Sequence, residues 1–160
     1  MAEKVKFGII GIGNMGTGHA EMMENIKNVE LVAVCDIKPA AFDHLPQNIR
    51  EKVVCYTDTE EFFKHEGLEA VLIAVPHYFH VDLAIAAMKH GKHFIVEKPI
   101  SVHKAEAQRL IDEAAKYPHL VRSAMFNQRT LPAHRKLKAM IDNGEKTAYR
   151  PVPKSRSFVR

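Results

Sequence analysis

Val5-Lys6-Phe7-Gly8-Ile9-Ile10-Gly11-Ile12-Gly13-Asn14-Met15-Gly16 decides how this 160-residue chain folds. An apolar run leads directly into Gly-x-Gly-x-x-Gly, and residues of helical character follow at once. The three glycines meet three separate steric demands. Gly11 allows a tight turn off the strand, Gly13 withholds a side chain where a diphosphate would pass, and Gly16 lets the new helix pack close to the strand. Ile12, Asn14 and Met15 complete the turn, whose exposed N–H groups lie at the positive end of the helix dipole. Glycine-rich turns are common, so the triplet needs a second signal. Leu31-Val32-Ala33-Val34-Cys35 reads as a buried parallel strand and ends in Asp36, 20 residues beyond Gly16. A dinucleotide fold places a carboxylate there to accept hydrogen bonds from the adenosine ribose hydroxyls. Strand, glycines, helix, strand and acid together predict a dinucleotide-binding turn. The competing reading is a nonbinding α/β turn in which Asp36 caps a helix.

Outward from this stretch, strand-like and helix-like runs alternate. The strands are expected at Val5–Ile10, Leu31–Cys35, Val53–Tyr56, Ala70–Val75, His93–Glu97 and Leu120–Met125. Their near-continuous apolar character suits strands covered on both faces, so the fold class is α/β, a doubly wound parallel six-stranded Rossmann sheet. Helices are expected at Met15–Asn25, Ala40–His44, Thr59–His65, Val81–His90, Lys104–Lys116 and Ala133–Asn143. Thr59 is the candidate cap of a helix whose Phe62 and Phe63 point inward, and Ser101 precedes the longest helical stretch. Ala105, Leu110, Ile111 and Ala114 recur there at roughly helical spacing, which predicts that this face covers the sheet. Gly91 and Gly144 each stand where a helix C-terminus takes a left-handed residue.

Composition narrows the classes. With 46% apolar and 26% charged residues, the chain is a globular domain with one continuous core. No apolar run approaches the ~20 residues that span a bilayer, and the first residues enter strand one with no room for a secretory signal. A cytoplasmic location is expected. Cys35 and Cys55 end apolar runs and lack metal-ligand spacing, so both are expected to be small core residues without a disulfide. The net charge of +4 is deceptive: Lys146, Arg150, Lys154, Arg156 and Arg160, against Glu145 alone, account for all of it. The remainder is balanced, so no nucleic-acid surface is implied.

Two further segments carry chemistry. Val75-Pro76-His77-Tyr78-Phe79-His80 follows strand four at the carboxyl edge of the sheet, where open α/β sheets bind ligands. The loop would lie beside the nicotinamide half of a dinucleotide, with Pro76 stiffening it and His80 opening the next helix. His77 and His80 have metal-ligand character, but two histidines three apart without a third ligand are a weak signal, and no metal is expected. Glu97-Lys98-Pro99 ends strand five at the same edge. A lysine there is placed to polarise a substrate hydroxyl or carbonyl, and nearby burial would favour proton transfer. An exposed loop lysine is the equal alternative. The bond before Pro99 is a candidate for the cis form.

In this order the Gly11–Gly16 motif, Asp36, the Val75–His80 loop, Gly91-Lys92-His93, Glu97-Lys98-Pro99 and Asn127-Gln128-Arg129 strongly resemble the nucleotide-binding half of the glucose–fructose oxidoreductase, inositol dehydrogenase and MocA family. The resemblance covers about Lys4 to Gly144, so residues 1–144 are expected to form the NAD(P)-binding Rossmann domain. It implies NAD or NADP as cofactor and hydride exchange at a carbon bearing a sugar or polyol hydroxyl. It assigns the functional lysine to Lys98, and cofactor contacts to the loop residues Val75, Pro76, His77 and His80, to Glu97 and Lys98 itself, and to Asn127 and Arg129. The family often has asparagine where this chain has His77. Asp36 favours NAD, because a carboxylate repels a 2′-phosphate, and Lys38 softens that preference.

Members of the family continue into a second, mostly antiparallel domain that supplies the substrate pocket and most of the oligomer interface. No segment here resembles it. After Gly144 the chain departs into a basic, proline-containing tail, 145–160, expected to be poorly ordered and to derive from an altered reading frame. A natural short form is the alternative. Truncation would expose apolar surface and favour self-association. Three functional hypotheses follow: an NAD(H)-binding protein with little turnover, an enzyme completed by another copy or subunit, or a non-catalytic, redox-responsive module. A relative that uses NAD for glycoside cleavage is the alternative of another reaction class.

Overall fold

The structure, a computed structural model, describes residues 4–145. The apolar runs pair side by side as β1 (Val5–Ile10), β2 (Val29–Cys35), β3 (Val54–Tyr56), β4 (Ala70–Ile73), β5 (His93–Val96) and β6 (Arg122–Ala124). All neighbours are parallel, in the order β3-β2-β1-β4-β5-β6. From β1 the chain winds outward to β3, then crosses back and continues on the other side of β1. The order therefore reverses between β1 and β4, and a crevice opens beyond the carboxyl ends of those two strands. Ile10 stands opposite Cys35 on one side and Ile73 on the other, so the three strand tips end level.

Strand side chains alternate between the two faces, and each face has its own core. Ile9, Leu31, Val34 and Leu72 pack with Ala20 and Met23 of α1 (Asn14–Met23), with Phe42 and Leu45, and with Ile49 of α2 (Gln47–Arg50). Ile10, Ala33, Cys35, Val71, Ile73, Phe94 and Val96 face the other way. They meet Phe62 and Phe63 of α3 (Thr59–Phe63), the apolar side of α4 (His80–Lys89) and Leu110 of α5 (Lys104–Ala114). This two-sided covering is why the strands read as unbroken apolar runs. Phe62 and Phe63 are fully buried, as expected, and each contributes about 1.5–3 kcal/mol by leaving water. Phe62 also explains a glycine inside β1: a Cβ on Gly8 would come within 2.5 Å of its ring.

Several local expectations are corrected. β4 and β5 stop at Ile73 and Val96, before Val75 and Glu97, because the chain there turns into loops at the sheet edge. β6 is only three residues long, since an edge strand pairs on one side and Leu120 is held in a turn by Tyr117. The α3 cap is Asp58, not Thr59; its carboxylate accepts the N–H of Glu61 at 3.0 Å. His103 precedes α5 with no side-chain cap, and Ser101 instead bonds the His103 carbonyl at 3.1 Å. On α5 only Leu110 is buried and Ile111 is 61% exposed, so the predicted apolar face covers less of the sheet than its spacing implied. The short helix α2 after Pro46 had no expectation; four residues are too few for periodicity to show. Gly91 and Gly144 do take positive φ, 69° and 73°.

Both cysteines are free. Burial, reinforced by the charges of Asp36 and Asp58, pushes the Cys35 thiol up to about 12, so it is an inert core residue. Cys55 is only half-buried, against expectation, with the Arg50 guanidinium on its sulfur.

Within the expected domain 1–144, the described residues from Phe126 on form a compact unit of their own, separate from the unit that ends at Met125. They hold a single turn of 3-10 helix, Asn127–Thr130, and α6 (Pro132–Asp142), begun by Pro132 in the first helical turn. The tail expected to be poorly ordered, 145–160, lies outside the described residues except for Glu145.

His65 makes the fold sensitive to acid. Its Nδ1 lies 2.9 Å from the Tyr56 hydroxyl. Burial lowers its proton affinity below the usual 6.5; Lys6 acts the same way, Glu66 opposes, and Lys92 adds a smaller push downward. A lowered value in the folded state means that the unfolded chain takes up the proton first as pH falls. The His65 contribution is thus complete above pH 6.5 and disappears as pH drops through the lower folded value. Melting temperatures of the wild type and His65→Gln, compared above and below pH 6.5, should show the shallower dependence in the variant. Parallel curves would rule this contribution out.

Candidate functional site

Four loops at the carboxyl edge carry the expected site residues, each leaving a different strand: Gly11 after β1, Asp36 after β2, Val75 after β4 and Glu97 after β5. Backbone bonds lace these exits together. Gly11 N–H donates to Cys35 O at 2.8 Å, Ala74 N–H to Ile10 O at 2.8 Å, and Glu97 N–H to Ile73 O at 2.9 Å.

The glycines occupy their positions for distinguishable reasons. Gly11 has φ +93°, and a Cβ on it would meet the carbonyl of Ala74 at 2.5 Å. A Cβ on Gly16 would overlap the carbonyl oxygen of Gly11, so closure of the turn onto α1 depends on its absence. At Gly13 a Cβ would meet nothing within 4 Å. That glycine borders open space, as a residue beside a diphosphate must. The first-turn N–H groups of a helix have no acceptor within the helix, and α1 has neither a side-chain cap nor an acid in its first turn. Its positive end is therefore left for an outside anion. Asn14 and Met15 are exposed there, while Ile12 is fully buried and contributes only its backbone.

Asp36 is half-buried and bound on both oxygens: Oδ2 accepts the Ile12 N–H at 2.8 Å and Oδ1 the Lys38 N–H at 2.9 Å. The carboxylate thus stiffens the glycine turn as well as presenting its remaining lone pairs outward. A dinucleotide fits this set of groups: open space at Gly13, an uncapped helix end and an aligned carboxylate.

Beyond β4, Pro76 and His77 are exposed, and His77 begins a single 3-10 turn, His77–Phe79. His80 is fully buried. Its Nδ1 lies 2.7 Å from the Pro99 carbonyl and its Nε2 2.9 Å from the Val75 carbonyl, so both ring nitrogens are engaged by backbone. Lys98 is exposed, so the burial expected around it is not supplied by this domain alone, and the Lys98–Pro99 bond is cis. Glu97 is 5% exposed and lies 2.7 Å from Nε2 of His19, itself 6% exposed. Its other oxygen accepts the Lys98 N–H at 3.0 Å.

His19 was absent from the sequence-derived site. The signal was available: Gly16, His19, Ala20 and Met23 form the buried stripe of α1, and a histidine in an apolar stripe requires a partner. Asn127 and Arg129 lie in the second unit, on its 3-10 turn, where the Arg129 guanidinium stands 5.8 Å from the centre of the Phe126 ring. Among the described residues no group of three histidines, cysteines or acids is arranged to hold a metal ion, and no helix is long and apolar enough to cross a membrane.

Comparison with known proteins agrees with this geometry. Residues 5–125 match the oxidoreductase family with an NAD-binding Rossmann fold, GFO_IDH_MocA. The inositol 2-dehydrogenase of Salmonella typhimurium is 33% identical over 146 residues, covering 88% of this chain and 42% of that protein. Scyllo-inositol dehydrogenase from Lactobacillus casei, solved with bound NAD(H) and scyllo-inositol, superposes with a TM-score of 0.82 at 26% identity, covering 89% of this chain and 42% of that one. A glycosyl hydrolase family 109 protein of Shewanella sp. is 33% identical over 120 residues, covering 70% of this chain and 26% of its own length. The chain thus spans less than half the length of the relatives it matches. Its glycine turn, reversed strand order and carboxylate at the end of β2 are those of an NAD-binding Rossmann domain, and the chain belongs to the glucose–fructose oxidoreductase, inositol dehydrogenase and MocA family.

Proposed function

We propose that this chain is the cofactor-binding half of a polyol dehydrogenase of the inositol type. The observation that carries the reading is the junction of an uncapped α1 with Asp36, which offers a diphosphate site and a ribose site side by side. NAD supplies a hydride acceptor when bound. Gly13 leaves room for the diphosphate, the α1 amides neutralise it, and Asp36 selects the unphosphorylated ribose over that of NADP. Val75, Pro76 and His77 border the nicotinamide end, and Asn127 and Arg129 belong to the same set through family resemblance alone. Lys98 carries the proton chemistry. The neutral Lys98 amine would take the hydroxyl proton of the carbinol, and in reverse its ammonium would give that proton back to the carbonyl oxygen.

Glycoside cleavage is the second reading, favoured by the family 109 relative. The nucleotide half serves both chemistries alike. Cytoplasmic residence belongs to the proposal, supported by two free thiols. So does self-association, supported by Tyr78 and Phe79, which expose 73% and 56% of their surface beside the site.

Titration of the purified chain with NADH, followed by fluorescence, tests the core of the proposal. Saturable binding, tighter for NADH than NADPH, is expected. Lys98→Ala should leave that binding within about threefold, since an exposed side chain is removed. Any myo-inositol oxidation should disappear in the same variant. Binding without oxidation leaves the NAD-binding half intact and points to a domain that acts with a partner or as a redox-responsive module. No saturation at millimolar NADH would defeat the reading.

A further inference from the structure

The two buried histidines meet the Lys98 turn from opposite sides of the sheet. Strand alternation sets this up. Phe94 and Val96 point to the face covered by α4 and α5, so the next residue, Glu97, points to the α1 face. There His19 takes one carboxylate oxygen at 2.7 Å while the Lys98 N–H takes the other at 3.0 Å. Across the sheet, His80 at the start of α4 reaches the Pro99 carbonyl at 2.7 Å and the Val75 carbonyl at 2.9 Å. The N–H of Lys98 and the carbonyl of the residue after it are thus both held, while the lysine side chain is exposed.

We propose that His19 and His80 are positioning residues for Lys98: one ring from each face of the sheet fastens the turn that carries the amine. The inference rests on the proposed role of Lys98. It also links three parts of the cofactor site. His19 sits one turn beyond Gly16 on the helix that faces the diphosphate, and His80 joins the loop after β4 to the loop after β5. A buried acid and two buried imidazoles are a costly way to fill a core that apolar side chains would fill as well. Their cost is explained if the geometry they impose is used. Carbonyl oxygens only accept and a neutral imidazole carries one N–H; with that N–H on Nδ1, His80 donates to Pro99, the shorter of its two carbonyl contacts.

The Lys98 amide reads the arrangement directly, because its N–H is the donor to Glu97. In the full chain, His19→Gln keeps an N–H near the Nε2 position and His19→Leu removes it. His80→Asn keeps a donor near Nδ1, facing Pro99, and His80→Gln keeps one near Nε2, facing Val75. Hydrogen exchange by NMR should show Lys98 close to wild type in His19→Gln and His80→Asn. It should be about tenfold faster or more in His19→Leu and His80→Gln, with the Val71 amide unchanged as a measure of the fold. Equal exchange in the two His80 variants overturns the proposal. So does unfolding of both, which would make the ring a purely structural element. If His19→Leu does not fold, the His80 pair decides. NADH titration of the same samples keeps the two ideas apart. Wild type that fails to bind NADH defeats the cofactor reading, whereas normal binding with unchanged Lys98 exchange in every variant defeats this one.

Discussion

Gly16→Ala is expected to destabilise the domain by about 3 kcal/mol or more and to abolish NADH binding, because the new methyl group overlaps a backbone carbonyl. The clash is with Gly11 O, the fixed wall of the turn, and no flexible side chain is present to move aside. Relief requires α1 to shift away from β1, which opens the space where first-turn amides meet a diphosphate. Gly13→Ala provides the contrast. Its φ of −85° is ordinary for alanine, and the Cβ enters open space. Its stability cost is limited to a poorer helix cap, about 1 kcal/mol or less. Yet the same methyl would stand where the diphosphate passes, so NADH affinity should fall on the order of a hundredfold, ~2.7 kcal/mol. Thermal unfolding and NADH titration of both variants check this. Two variants with the same ratio of stability loss to affinity loss would show that the turn has one role, not two.

The second large effect belongs to Asp36. Asp36→Ala should weaken NADH binding by about 10- to 100-fold, the range for charge-assisted hydrogen bonds of ~1.5–3 kcal/mol. NADPH should lose less, since the variant removes a repulsion together with a contact. Its affinity should still fall, for a reason absent from the sequence. The carboxylate accepts the Ile12 N–H, so removing it loosens the turn that cradles either cofactor. Comparative titrations of the two cofactors measure both components. Losses of equal size for NADH and NADPH would mean that Asp36 acts only through the turn and makes no ribose contact.

Much of this architecture was legible beforehand because its causes are local. Val5–Ile10 was read to the residue, since an apolar run stopped by glycine has sharp ends. The positive φ of Gly11 and the contact of Gly16 with the Gly11 carbonyl arise within a single turn, whereas the Ala74 carbonyl that also confines Gly11 comes from the loop after β4. Boundaries failed where neighbours decided them. β6 was cut short as an edge strand, and α3 took its cap from Asp58 rather than the adjacent Thr59.

The chain by itself determined the strand–helix alternation, the parallel sheet and the place of the cofactor turn, because each depends on spacing between residues close in sequence. Tertiary structure alone decided what Glu97 and His80 do. Their partners lie 78 residues away on α1 and, for His80, 19 and five residues away in two different loops. Such pairings form only when the sheet brings its strand tips level and closes a dry interior around them. In that interior a polar group must find a partner wherever the fold has placed one.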